Sequence, residues 1–331
     1  MSALIPQSSD FGPLPWPTMD DIRRAHHVVR AHLPRTPLIS HPTLDAGSCA
    51  QLFVKHENVQ PTGAFKVRGG LNLMASLDEP TRSRGIVGYS TGNHAQSLAF
   101  AAATVGVRCI IVMPTAPNPA KARAVRALGA ELVEHGANFD EARTHAELLA
   151  AEQGLRLVSA ANEPAILAGV ATAYVEVLEQ APDLDAVVVP VGGGSGAAAA
   201  CLVAAALAPH VDVFAVQSDA APAAHDSWRA RTCVERANTT RVEGLATGAG
   251  FELTQQIMRE RLTDFLLVTD AEILEAQQAL LHDAHTLAEG AGAAALAAVH
   301  QHGDVFAGRR VAVMCTGANA SADEIRRVAC V

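Results

Sequence analysis

An α/β fold with parallel-rich sheets flanked by helices is predicted by three observations. Short apolar runs rich in β-branched residues alternate along the chain with segments of helical length, the pattern of parallel strands covered on both faces. Two of those runs empty directly into polar or glycine-rich turns that open a helix. About half of the 331 residues are hydrophobic and only 18% are charged, enough to bury a large core.

The strand candidates, in order, are 52–55, 86–89, 109–113, 186–191, 211–216, 265–268 and 311–315. Helical patterns between them include 120–128, 139–152, 165–180 and 270–284. In such sheets ligands bind beyond the carboxyl ends of strands. No internal repeat or low-complexity linker interrupts the alternation.

After the first run comes Thr62-Gly63-Ala64-Phe65-Lys66-Val67-Arg68-Gly69-Gly70. A lone lysine among glycines and apolar neighbours is expected to be desolvated, which favours its neutral, nucleophilic amine. Such an amine condenses with a carbonyl cofactor. A loop lysine held by a salt bridge would leave the same trace.

The run 86–89 leads into Ser90-Thr91-Gly92-Asn93-His94 and an alanine-rich helix. Hydroxyls and backbone N–H groups at a helix start suit an anion such as a carboxylate. A plain Ser/Thr/Asn cap is the alternative. The run 186–191 enters Gly192-Gly193-Gly194-Ser195-Gly196 and a second alanine-rich helix. Glycines let several N–H groups converge on a phosphate, and the helix dipole adds to the attraction. A dinucleotide loop, with Asp219 on a ribose, and a simple tight turn fit the same residues.

Taken together, the three segments resemble the threonine/serine dehydratase family. It lies within the fold-type II, tryptophan synthase β-like pyridoxal-phosphate enzymes and is related to serine racemase. The resemblance runs from about residue 37 to 319 with the motifs in the same order. It implies that Lys66 is the Schiff-base lysine and that Phe65 covers one face of the cofactor ring. Asn93 would bond the ring hydroxyl, and Ser90, Thr91 and His94 would receive the substrate carboxylate. Gly192, Gly193, Gly194, Ser195 and Gly196 would cradle the phosphate. Gly244 would offer a backbone contact, Glu289 would sit near the ring, and Thr316 would meet the pyridine nitrogen. It also implies a small domain, 83–162, inserted into a large cofactor-binding domain formed by 1–82 and 163–331. A homodimer is the expected assembly.

Three positions depart from the family pattern. Gly63 stands where serine is usual, which predicts a looser turn before Lys66. Ser195 replaces the fourth glycine, acceptable only if the local φ suits a side chain. Thr316 replaces serine and keeps the hydroxyl. The implied reaction is pyridoxal-phosphate-dependent β-elimination from a β-hydroxy amino acid, L-threonine or L-serine, to a 2-oxo acid and ammonia. The released Lys66 amine would serve as general base at Cα. Racemisation, with Thr91 as second catalytic group, and dehydration of 3-hydroxyaspartate or phenylserine are the alternatives. Arg143 resembles an arginine that reaches the mouth of the serine racemase site, and Asn162 aligns with a position near the cofactor. A helix-surface ion pair to Asp140 or Glu141, and a loop turn, are the rival readings. Where metal-binding relatives carry two acidic ligands this chain has Gln217 and Ala223, so no metal is expected, although Asp219 offers a shifted register.

Composition excludes other classes. A net charge of −9 without a basic face argues against nucleic-acid partners. Lys121, Arg123 and Arg126 read as a solvated helix face. Two Trp and two Tyr are little material for stacking bases. Six cysteines lack metal-type pairing, and Cys109, Cys201 and Cys315 read as reduced core residues suited to a cytoplasm. His282 and His285 read as helix surface. Residues 1–17 lack the features of a secretory signal, and no run is long enough for a membrane span. The chain stops soon after Thr316, so no appended regulatory domain is expected.

Overall fold

The computed structural model describes residues 15–330. Most of the stretch 1–17, read above for an export signal, lies outside the described residues. Ten strands are seen among them: β1 (Leu38–Ile39), β2 (Gln51–His56), β3 (Ile86–Tyr89), β4 (Cys109–Met113), β5 (Glu131–Glu134), β6 (Arg156–Val158), β7 (Ala186–Pro190), β8 (Asp212–Ser218), β9 (Asp264–Val268) and β10 (Arg310–Cys315). One sheet has the order β1-β2-β10-β7-β8-β9 and the other β5-β4-β3-β6. Only β1 with β2 is antiparallel; every other pairing is parallel. All seven predicted runs form strands with ends within two residues of expectation, the usual scatter of boundaries.

Period-two alternation sorts the strands onto their two faces. In β7, Val187 and Val189 join one core, while Ala186 and Val188 join the other. The first core is continuous from the six-stranded sheet into the four-stranded one, through Val67 and Leu71 of the helix Lys66–Ala75 and Ala95 and Leu98 of the helix Asn93–Val105. That passage needs close backbone approach. A Cβ at Gly70 would lie 2.4 Å from Ser97 Oγ, and one at Gly169 would lie 2.4 Å from the Arg68 carbonyl. Two glycines therefore clamp the Lys66 helix between Asn93–Val105 and Pro164–Gln180. No helix among the described residues is long and apolar enough to cross a membrane.

Candidate active site

Lys66 is the first residue of its helix, with Phe65 as N-cap. The turn before it is tightly tied: Gly63 N–H donates to the Gln60 carbonyl at 2.7 Å, Phe65 N–H to Thr316 O at 3.0 Å, and Ala318 N–H to Gly63 O at 2.8 Å. Gly63 has φ of +67°, and a Cβ there would lie 2.7 Å from Asn319 Oδ1. The expected loosening is therefore overturned: glycine fits a left-handed, crowded position here. Lys66 Nζ donates to Ser195 Oγ at 2.8 Å and lies 5.0 Å from the centre of the Phe65 ring. Desolvation pushes its pKa down to about 8. The charged group with tight ion pairs on this helix is Arg68, not Lys66.

The glycine loop lies directly opposite. Thr254 Oγ1 donates to Gly193 O at 2.8 Å and Thr247 Oγ1 to Gly192 O at 3.3 Å, anchoring the loop by its carbonyls. The first N–H groups of the helix Ser195–Leu207 have no intrahelical acceptor, which suits an anion. Gly194 takes φ of +86°, whereas Ser195 opens the helix outside the left-handed region, so a side chain is tolerated there. A Cβ at Gly192 would come within 2.3 Å of the Gly244 carbonyl, and one at Gly196 would lie 3.9 Å from the Phe65 ring. Phe65, Lys66, the loop and Gly244 thus adjoin one another, and a phosphate-tailed aldehyde fits their donors and the amine.

The opposite wall carries the ring-edge candidates. Asn93 Nδ2 donates to Glu289 Oε1 at 2.5 Å, and Asn319 Nδ2 donates to Asn93 Oδ1 at 2.7 Å and to Thr62 O at 2.8 Å. Burial pushes Glu289 up to about 7, against the pull of the Asn93 bond and the Lys121 charge. Thr316 is buried at the end of β10. Ser90 Oγ accepts from Gly92 N–H at 3.2 Å, and Thr91 is exposed at the crevice. His94 is buried, pushed down to about 3 by desolvation, and its Nε2 has no hydrogen-bond partner among the described residues. It is a neutral ring able to accept or donate one bond to a ligand.

Other candidates are less central. Arg143 is half exposed and bonds Glu147 at 2.9 Å. Its charge reaches the Tyr89 hydroxyl, just before Ser90. The Asp140 side chain lies outside the described set. Asn162 sits beside the loop, but its Oδ1 accepts from Leu253 N–H at 3.2 Å. Gln217 is buried, its Oε1 accepting from Ala224 and His225 N–H at 3.1 Å each; the amide serves a helix start where metal-binding relatives have a carboxylate. Cys109, Cys201 and Cys315 are buried and unbridged; His282, Arg123 and Arg126 are exposed on helices, whereas His285, also exposed, lies past the end of the helix Asp270–Asp283 with φ of +50°, off the helix surface expected for it. Lys121 is not on the solvated face expected for it: it is buried and bonds Glu243. Asn319 and Glu243 were missed altogether, because single polar residues in loops carry no periodic signal.

Comparison with known proteins shows the family and its cofactor class. The family described as "Pyridoxal-phosphate dependent enzyme" matches residues 29–317. An L-threonine ammonia-lyase of Thermotoga maritima is 36% identical over 94% of this chain and 78% of its own. A beta-hydroxyaspartate dehydratase of Paracoccus denitrificans is 34% identical over 93% of this chain and 98% of its own. Maize serine racemase superposes with a TM-score of 0.89 at 27% identity, covering 94% of this chain and 96% of that one.

Proposed function

We propose what this chain catalyses from one premise, that it belongs to the family of pyridoxal-phosphate dependent enzymes. The reaction is β-elimination from a β-hydroxy amino acid, L-threonine or L-serine, releasing a 2-oxo acid and ammonia. The observation that carries this reading is the desolvated Lys66 amine, 2.8 Å from the residue that opens the glycine-loop helix. The named activities of the bacterial relatives support the same chemistry.

When bound, pyridoxal phosphate supplies an aldehyde and a sink for charge developing at Cα. Lys66 would anchor it, and its free amine would serve as base at Cα; an amine depressed toward 8 is a competent base near neutrality. The N–H groups of residues 192–196 would hold the phosphate, and Phe65 would cover one ring face. Asn93 and Glu289 would hold the ring edge, and Thr316 would present a hydroxyl to the ring nitrogen. Ser90, Thr91 and His94, at the start of Asn93–Val105, orient the substrate carboxylate; Arg143 and Asn162 are the outer substrate contacts. Residues 83–162, around the four-stranded sheet, form the small domain, and the described residues of 1–82 and 163–331 form the large one. The enzyme works as a homodimer in a reducing cytoplasm.

A 3-hydroxyaspartate substrate is the second reading, favoured by the end-to-end match to the Paracoccus dehydratase. Purified protein is expected to show a visible absorption band from bound cofactor that Lys66→Ala abolishes together with all ammonia release. A colourless protein that takes up no pyridoxal phosphate overturns the proposal. Assaying threonine, serine, 3-hydroxyaspartate and phenylserine for 2-oxo acid, with D-enantiomer followed in parallel, decides between elimination and racemisation.

A further inference from the structure

Lys121 lies on the helix Pro119–Ala127, which crosses from β4 to β5 in the four-stranded sheet. Its neighbours on that helix behave as surface groups: Arg126 pairs with Glu134 of the adjacent strand at 2.9 Å, both largely in water. Lys121 differs in three respects. Its side chain is only 10% exposed. Its partner, Glu243, is 122 residues away and opens the turn Glu243–Leu245 on the side of the six-stranded sheet. And it lines one cavity with Glu243, Gly244, Glu289, Asn319 and Glu324, so a single buried ammonium faces three carboxylates.

The turn it grips is set hard against the site. Gly244 meets Gly192 on one side, and a Cβ at Gly244 would lie 2.6 Å from Ala291 Cβ on the other. Further ties cross the same crevice nearby, from Asn93 to Glu289 and from Asn319 to Asn93. Those are part-buried hydrogen bonds donated by side-chain amides. The lysine–glutamate pair is at the rim of the crevice, where Glu243 is 54% exposed and where water gains entry if the walls part.

We propose that Lys121 and Glu243 are positioning residues: an ionic clasp that holds the helix Pro119–Ala127 against the Gly244 turn and keeps the crevice closed over cofactor and substrate. Neither touches the reacting atoms. The clasp presses Gly244 onto the loop and keeps a positive charge beside Glu289. Opening it frees the small-sheet wall to swing away, so bound cofactor escapes faster and substrate is held less well, while the chemistry of a closed molecule is little altered. The inference rests on the pyridoxal-phosphate reading, and the wild-type absorption band tests that reading separately.

The experiment compares holoenzyme of wild type, Lys121→Met, Glu243→Gln and the charge-keeping Lys121→Arg. Release of pyridoxal phosphate is followed by loss of the visible band on ultrafiltration, alongside KM and kcat. Each charge-removing variant is expected to raise the release rate and KM about fivefold, with kcat lowered less than about twofold, the size of a partly buried ion pair. Lys121→Arg, which keeps the charge facing Glu243, Glu289 and Glu324, is expected to stay within about twofold of wild type in both. Single charge-removing variants that release cofactor at the wild-type rate overturn the clasp, and so does a Lys121→Arg variant as leaky as Lys121→Met. If Lys121→Met fails to fold, the half-exposed Glu243→Gln carries the test.

Discussion

Lys66 and Arg68 stand two positions apart at the start of one helix, and both hold a cationic head away from water. Arg68 is surrounded by compensation. It donates to Glu57 at 2.7 and 2.8 Å and to Glu176 at 2.8 Å twice. Lys55 Nζ adds bonds to Glu176 at 2.8 Å and to Thr36 O at 2.9 Å. Burial alone would raise both carboxyls, but the Arg68 charge and hydrogen bonds outweigh it and hold Glu57 and Glu176 below the ordinary range. Lys55 is the weaker member, since desolvation outpulls its carboxylates and lowers its pKa. Lys66 has no such company, only a serine hydroxyl and a ring face. Burial without a counter-charge makes reactive groups; burial with one makes a fixed joint.

The largest expected effect follows. Arg68→Met leaves two carboxylates buried without their main partner and is expected to cost about 3–5 kcal/mol, read by urea unfolding without added cofactor. Lys66→Met in the same assay is expected to be neutral or stabilising by about 1–3 kcal/mol, because it removes a desolvated amine. The sign is set by linkage. The folded state loses its Lys66 proton near 8, whereas the unfolded chain keeps it to about 10.5. Stability of wild type therefore rises relative to Lys66→Met as pH climbs from about 8 to 10.5, and the gap between them closes. Equal losses in the two variants would break the comparison.

Glu289 sharpens it from the acidic side. Burial raises its pKa from 4.5 to about 7, so between those values the folded state holds a proton that the unfolded chain has released. Wild type is expected to lose up to about 3 kcal/mol relative to Glu289→Gln as pH rises through that window. A flat difference between the two stability–pH curves would mean that the Asn93 bond and the Lys121 charge already offset the burial.

The reactive half of this pair was legible in the chain, and the fixed half was not. Lys66, the loop at 192–196 and the turn at 90–94 are short local motifs at the ends of apolar runs. Glu176 lies inside the apolar helix Pro164–Gln180, and Lys55 closes a strand; each reads as an ordinary polar interruption. Only the fold brings Thr36, Lys55, Glu57, Arg68 and Glu176 together. The strands β1, β5 and β6 escaped for a related reason. They are two to four residues long, and Glu131–Glu134 carries charge at both ends, so pairing to neighbours, not local propensity, makes them strands.

Gly63 gives the smallest expected effect and a check on how sequence resemblance transfers. Serine is usual there in the family, yet here φ is +67° and Asn319 Oδ1 is 2.7 Å from where a Cβ would stand. Two separable penalties follow for Gly63→Ser. The left-handed backbone costs about 1 kcal/mol for a residue with a side chain. The second is the crowding, which pushes Asn319 away from Asn93 and Thr62, to which it donates at 2.7 and 2.8 Å. Adding Asn319→Ala is expected to relieve the crowding but not the backbone strain, so the double variant should keep a thermal-melting deficit worth about 1 kcal/mol relative to Asn319→Ala alone. A neutral Gly63→Ser would mean that the loop rebuilds around serine, and that the relatives' residue and this chain's glycine serve two different turns joining the same strand to the same lysine.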